Sequence, residues 1–212
     1  MRLLAALLLA SLLAGCTLGP PGPATRSEGD APEWTVGDYW VWQQPAVLLG
    51  GSGEGQETTQ IRWEVVDRAT LAGVDTYVVV ETVKQPGNAT FGFAEYFNKS
   101  VATQEIVTEN GPQRALSLYR MPFRTGEKVA MGEATELRVM AATETATPKG
   151  PFRTIPVERW APDGENGTVV KTHVIYYAAT VGNPVRTEVY QGPSTFYVRD
   201  LVDYRCAACP RT

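Results

Sequence analysis

From residue 58 to residue 67 the chain alternates, with Ile61, Trp63 and Val65 on one face and Gln60, Arg62 and Glu64 on the other. A period of two is that of a strand with one dry and one wet face. The same pattern predicts strands over 36–43, 58–67, 76–84, 90–97, 101–108, 113–121, 133–144, 152–160, 168–177, 185–191 and 195–204. Residues 76–84 (TYVVVETVK) are β-branched on both faces, which predicts a central strand covered on both sides. Pro156 inside 152–160 predicts an edge or bulged strand, because proline has no amide hydrogen for the ladder. In 195–204, Phe196, Val198 and Val202 alternate with Arg199 and Asp203 and are expected inside. Residues 126–131 are ambiguous, and 133–144 fits a strand or one helical face.

Turn signals separate these segments: Ala72-Gly73-Val74-Asp75, Pro86-Gly87-Asn88, Glu109-Asn110-Gly111, Asp163-Gly164-Glu165-Asn166-Gly167 and Gly192-Pro193-Ser194. Strands joined by short turns form an antiparallel meander. About eleven in one sheet would curl. The expected fold is therefore all-β: a single antiparallel meander of about eleven strands, curved into a half-barrel or barrel.

The N-terminus breaks the pattern. Arg2 is followed by a Leu/Ala run from Leu3 to Leu13, interrupted by a polar residue only at Ser11. A short positive region before such a run is a secretory signal. Eleven residues at about 1.5 Å each span roughly half a bilayer core, too little for a transmembrane helix. Residues 17–32 (TLGPPGPATRSEGDAP) carry four prolines and three glycines and read as a tether. The expected organisation is a signal over 1–15, a tether over 16–33, a β domain over 34–205 and a tail over 206–212.

The chain of 212 residues has a net charge of −4, with both signs mixed. That balance argues against nucleic acid as a partner. Cys206 and Cys209 stand three apart near the end. In an oxidising compartment they are a candidate local disulfide. A redox dithiol would need a βα unit before it, and two Cys cannot close a zinc site. His173, the only histidine, lies mid-strand and reads as structural, since no serine has nucleophile-elbow spacing. The Asp163–Gly167 turn lacks the trailing carboxylate of a calcium loop. Asn88-Ala89-Thr90 matches a glycosylation sequon. No catalytic residues, metal or cofactor are expected, and the chain reads as a non-enzyme.

The aromatic residues offer two readings. Trp34, Tyr39, Trp40, Trp42 and Trp63 cluster early. Such residues usually fill a core. The alternative makes Trp40, Trp42, Trp63, Phe91 and Phe93 the candidate lining of a ligand site.

Leu13-Ala14-Gly15-Cys16 resembles the lipobox of bacterial lipoproteins. The resemblance implies cleavage before Cys16 and a diacylglycerol on its sulfur, which anchors the protein firmly to a membrane. Thr17 in place of Asp leans towards the outer membrane in a two-membrane cell. Within the domain, Trp34-Thr35-Val36-Gly37-Asp38-Tyr39-Trp40, Met121-Pro122-Phe123-Arg124-Thr125-Gly126-Glu127, Val157-Glu158-Arg159-Trp160 and Tyr176-Tyr177-Ala178-Ala179-Thr180-Val181-Gly182-Asn183-Pro184-Val185-Arg186 resemble motifs of uncharacterised secreted β proteins. Those are similar to the half-barrel carriers and receptors of lipoprotein localisation. That similarity implies a curved sheet around an apolar cavity plugged by helices, although no plug helix is predicted here. The resulting expectation is an extracytoplasmic, lipid-anchored binding module for an apolar ligand such as an acyl chain. The alternative is an interaction lipoprotein that docks another envelope protein.

Overall fold

The computed structural model describes residues 29–46, 57–99, 105–113, 119–132, 134–163 and 167–209. Cys16, its lipobox and the signal segment lie outside these residues, as do residues 164–166 of the Asp163–Gly167 turn. The strands are β1 (Tyr39–Pro45), β2 (Thr58–Leu71), β3 (Val74–Lys84), β4 (Thr90–Asn98), β5 (Ile106–Thr108), β6 (Gly111–Gln113), β7 (Lys128–Gly132), β8 (Thr135–Val139), β9 (Thr143–Thr147), β10 (Gly150–Asp163), β11 (Thr168–Ala178), β12 (Asn183–Gln191) and β13 (Ser194–Arg205). Pro86–Asn88 forms a single 3-10 turn.

All thirteen strands belong to one antiparallel sheet, in the order β6-β5-β4-β3-β2-β1-β13-β12-β11-β10-β8-β7, with β9 paired to β10. This is the expected all-β meander, with one feature that local pattern does not reveal. The first strand pairs with the last in the middle of the sheet, Trp40 opposite Tyr204. The two edges, β6 and β7, are therefore consecutive in sequence. Between them in sequence, Tyr119, Met121 and Phe123 are buried in the core.

Directly opposed residues in a ladder share a face. The inner face therefore follows from the register: Phe97 with Tyr77, Val65 with Val79, Trp40 with Trp63, and Trp42 with Ile61. These residues, with Trp34, Val185 and Leu201, make one buried cluster. Tyr119, Met121, Phe123, Leu137, Val139, Ile155, Val157, Ile175 and Tyr177 are the heart of a second. Each aromatic ring so buried removes roughly 150–250 Å² from water, worth several kcal/mol on the order of 25 cal/mol per Å². Register shifts at Val41/Trp42, Val65/Asp67, Arg159/Trp160, Tyr176/Tyr177 and Val189/Tyr190 curve the sheet, since each bulge adds local bend and twist.

The outer face is polar. Arg186 makes two hydrogen bonds to Asp200, at 2.8 and 3.0 Å. Arg138 lies 4.1 Å over the Trp160 ring and Arg62 lies 4.1 Å over Tyr39.

Several local expectations change. The outward Val78 and Val80 of β3 are half-buried rather than covered by a second layer. Pro156 is not on an edge strand, because β10 has neighbours on both sides, but β10 is the bulged strand expected as the alternative, with its register shift at Arg159/Trp160. Pro156 sits where the partner on one side changes from β9 (pairing residues 150–154) to β8 (pairing residues 157–160), so its missing amide hydrogen costs no ladder bond on that side. The segment 133–144 divides into β8 and the start of β9, and 126–131 contributes β7. Of the strand expected over 113–121, residues 114–118 lie outside the described residues, Gln113 ends β6, and Tyr119 and Met121 lie outside any strand, buried in the second cluster.

Candidate functional site at the two ends of the half-barrel

One end of the curved sheet is tied shut. Three indoles donate hydrogen bonds to one turn: Trp34 Nε1 to the Gly182 carbonyl at 3.0 Å, Trp40 Nε1 to Val181 at 2.7 Å, and Trp42 Nε1 to Pro184 at 2.8 Å. Gly182 has φ +70°, and a Cβ there would lie 2.7 Å from Cys209 Sγ and 3.3 Å from Trp34 Nε1. Only glycine suits both the left-handed backbone and the close approach. Cys206 and Cys209 are joined, with an S–S distance of 1.96 Å. Buried Asp38 accepts from the Thr35 amide at 2.8 Å through Oδ2 and from the Ala207 amide at 2.8 Å through Oδ1. The opening of the domain, the β11–β12 turn and the C-terminal tail thus meet at one place. Residues near the expected end of the tether also pack here or nearby: Pro32 is buried, and Asp30 pairs with Arg124 at 3.0 Å.

The middle is filled. Phe123 packs against Tyr177 at 5.4 Å and against Tyr119 at 5.6 Å between ring centroids. Tyr119 faces Trp42, Trp63, Ile175, Pro184, Thr187 and Arg199 across a narrow cleft. Its free space, about 20 Å³, is room for one water molecule.

The far end is built differently. On β4 and β3 the inner face carries Phe91 opposite Val83 and Phe93 opposite Glu81. Phe91 is 48% and Phe93 45% exposed, although Val83 beside them is buried. Glu81 accepts a 2.5 Å hydrogen bond from Trp63 Nε1. Neighbouring Glu95 has its carboxyl pushed above the usual range, first by burial and then by the charge of Glu81.

The opposite wall of the same end is cationic. Thr187 stands opposite Ile175 on β11 and Arg199 on β13. One rung further out, His173 stands opposite Arg159 on β10 and Val189 on β12. All are on the inner face, in phase with the buried Ile175 and Val157. Arg199 Nε donates to Gln44 Oε1 at 2.8 Å. Arg159 Nε is buried and has no hydrogen-bond partner. Burial holds the Arg159 guanidinium below its ordinary value. His173 is pushed down to about 4, by burial first and then by the charges of Arg159 and Arg199, so it is neutral at pH 7. Its Nδ1 lies 3.1 Å from Thr172 Oγ1.

No family model matches the chain, and no curated protein matches it. A candidate lipoprotein from Parabacteroides distasonis has 12% identity and a TM-score of 0.48, over 85% of this chain and 100% of that one. A candidate exported protein with a YmcC-like fold from Bacteroides fragilis has 12% identity and a TM-score of 0.49, over 84% of this chain and 100% of that one.

The structure thus separates the five aromatic residues singled out as lining. Trp40 is fully buried and serves the tied end. Trp42 and Trp63 are core residues whose edges reach the cleft. Phe91 and Phe93 stand half-exposed at the far end. The sequence reading did not single out Arg159 and Arg199. A signal exists for Arg159, which continues the phase of Val157. No comparable signal marks Arg199, which local alternation places outside.

Proposed function

We propose that this chain is an exported, membrane-anchored lipoprotein, lipidated at Cys16, whose half-barrel binds an apolar ligand such as an acyl chain and does no chemistry on it. The observation that carries this reading is the pair Phe91 and Phe93, about half-exposed on the inner face beside buried Val83. Covering a Phe ring fully is worth roughly 1.5–3 kcal/mol. Two left in water on a concave wall are a surface that a ligand would cover. The signal run and the resemblance to a lipobox support a position next to a membrane, the source of acyl chains.

The test uses the whole chain with Cys16→Ser, which cannot be acylated there, and a fluorescent fatty-acid probe. Saturable uptake that Phe91→Ser and Phe93→Ser weaken supports the reading. Absence of uptake by the parent chain overturns it.

A further inference from the structure

We propose that Arg159 and Arg199, with His173 opposite Arg159, form a site on the inner face for the anionic group of the ligand, a carboxylate or a phosphate monoester. This deepens the reading above and rests on it for the apolar part of the ligand.

A guanidinium taken out of water needs a counter-charge or a full set of acceptors. Arg159 is half-buried, its Nε is buried without a hydrogen-bond partner, and no ion pair involves it among the described residues. Arg199 is held through Nε by a neutral partner, Gln44. Other arginines of the domain are matched by carboxylates, Arg186 by Asp200, Arg138 by Glu136 and Arg62 by Glu64. Those pairs lie on the outer face.

Among the described residues, the register places no carboxylate beside the two arginines. The inner-face neighbours on β10 to β13 at this end are Val157, Ile175, Thr187, Val189 and Tyr197, with no carboxylate among them. Glu81 and Glu95 stand across the sheet on β3 and β4, and Glu81 already accepts from Trp63. A planar, forked guanidinium binds carboxylate or phosphate oxygens through two parallel bonds. His173, kept neutral, adds no competing charge.

The placement also fits an amphipathic molecule. The rung through Phe91, Val83, Ile61, Trp42 and Leu201 runs across the sheet and lies next to the rung that holds Gln44, Arg199, Thr187 and Ile175. Val83, Ile61, Trp42 and Leu201 of the first rung are already covered, so an acyl chain would lie on the half-exposed Phe91 at the β4 end of that rung, with its anionic group towards the rung of Arg199.

The experiment titrates the full Cys16→Ser chain, and its Arg159→Gln and Arg199→Gln variants, with dodecanol, dodecanoate, dodecyl phosphate and inorganic phosphate. Tryptophan fluorescence reports amphiphile binding, and ¹⁵N signals of arginine Nε report on the guanidiniums. The expected result is binding of at least one charged amphiphile about tenfold tighter than dodecanol, with that advantage lost in both variants and dodecanol binding unchanged. Dodecanoate against dodecyl phosphate identifies which anion is preferred. Equal binding of dodecanol and both anions by the parent chain overturns the anion site while leaving the apolar reading intact. Inorganic phosphate shifting the Arg159 and Arg199 signals without any amphiphile binding supports the anion site and overturns the apolar one. No response to any of the four overturns both.

Discussion

The Trp40 indole donates to the Val181 carbonyl at 2.7 Å, joining the first strand to a turn 141 residues later. Both groups are buried, so each depends on the other. Trp40→Phe keeps a ring but leaves that carbonyl without its donor. An unsatisfied buried acceptor costs about 1–3 kcal/mol. Urea unfolding of the full chain should show a loss of that size, and a change below about 0.5 kcal/mol would mean that water replaces the indole.

Gly182→Ala should be more disruptive than its single methyl implies. It forces a side chain into a left-handed backbone, a cost of about 1–2 kcal/mol, and drives Cβ to 2.7 Å from Cys209 Sγ. The part due to the contact should shrink when Cys209 is also changed to Ser, and a double-mutant cycle measures it. Strict additivity would show that the contact contributes nothing.

Asp38→Ala removes the acceptor of two backbone amides, Thr35 and Ala207. Hydrogen exchange at Ala207 should accelerate well ahead of exchange in β3, since the tail is released before the sheet opens. Unchanged protection at Ala207 would show that the disulfide alone holds the tail.

His173 sets a pH dependence whose sign is fixed by its surroundings. Burial, Arg159 and Arg199 hold it down to about 4, while an unfolded histidine titrates near 6.5. Between these values the unfolded chain binds more protons. Its contribution to stability is therefore full above about pH 6.5 and declines as pH falls towards about 4, by up to about 1.4 kcal/mol per unit. His173→Gln should flatten this limb in denaturant titrations at several pH values. Equal slopes for the two proteins would contradict the assignment.

Glu95 behaves in the opposite sense. Burial and Glu81 raise its pKa, so ionising it costs folding energy, and its contribution is lost as pH rises through the folded value. Glu95→Gln should stabilise the domain at pH 7 and lose that advantage at low pH. A destabilised variant at pH 7 would show that the carboxylate makes a needed hydrogen bond.

The all-β meander was legible because alternation is a local property. In β2, Ile61, Trp63 and Val65 fall inward as their spacing requires. Alternation fails where a bulge intervenes. Residues 195–204 place Phe196 and Val198 inside and Arg199 outside, yet Phe196 is 51% exposed and Arg199 lines the cleft. A one-residue shift in register inverts the face of every residue beyond it, and β13 has such shifts against both β1 and β12. The cationic wall stayed hidden for that reason. Tyr119 and Met121 were expected in a strand for another reason: nothing local tells a strand residue from a loop residue that buries its apolar side chain against a sheet.

The sequence by itself determined most of the strand content, the turns between strands, the candidate disulfide partners and the candidate signal, all of which depend on residues near one another in the chain. Only the tertiary structure decided that β1 pairs with β13, that Tyr119, Met121 and Phe123 pack into the core, and that Arg159, His173 and Arg199 share one wall. These relations depend on register and curvature, which arise from pairings between strands far apart in sequence.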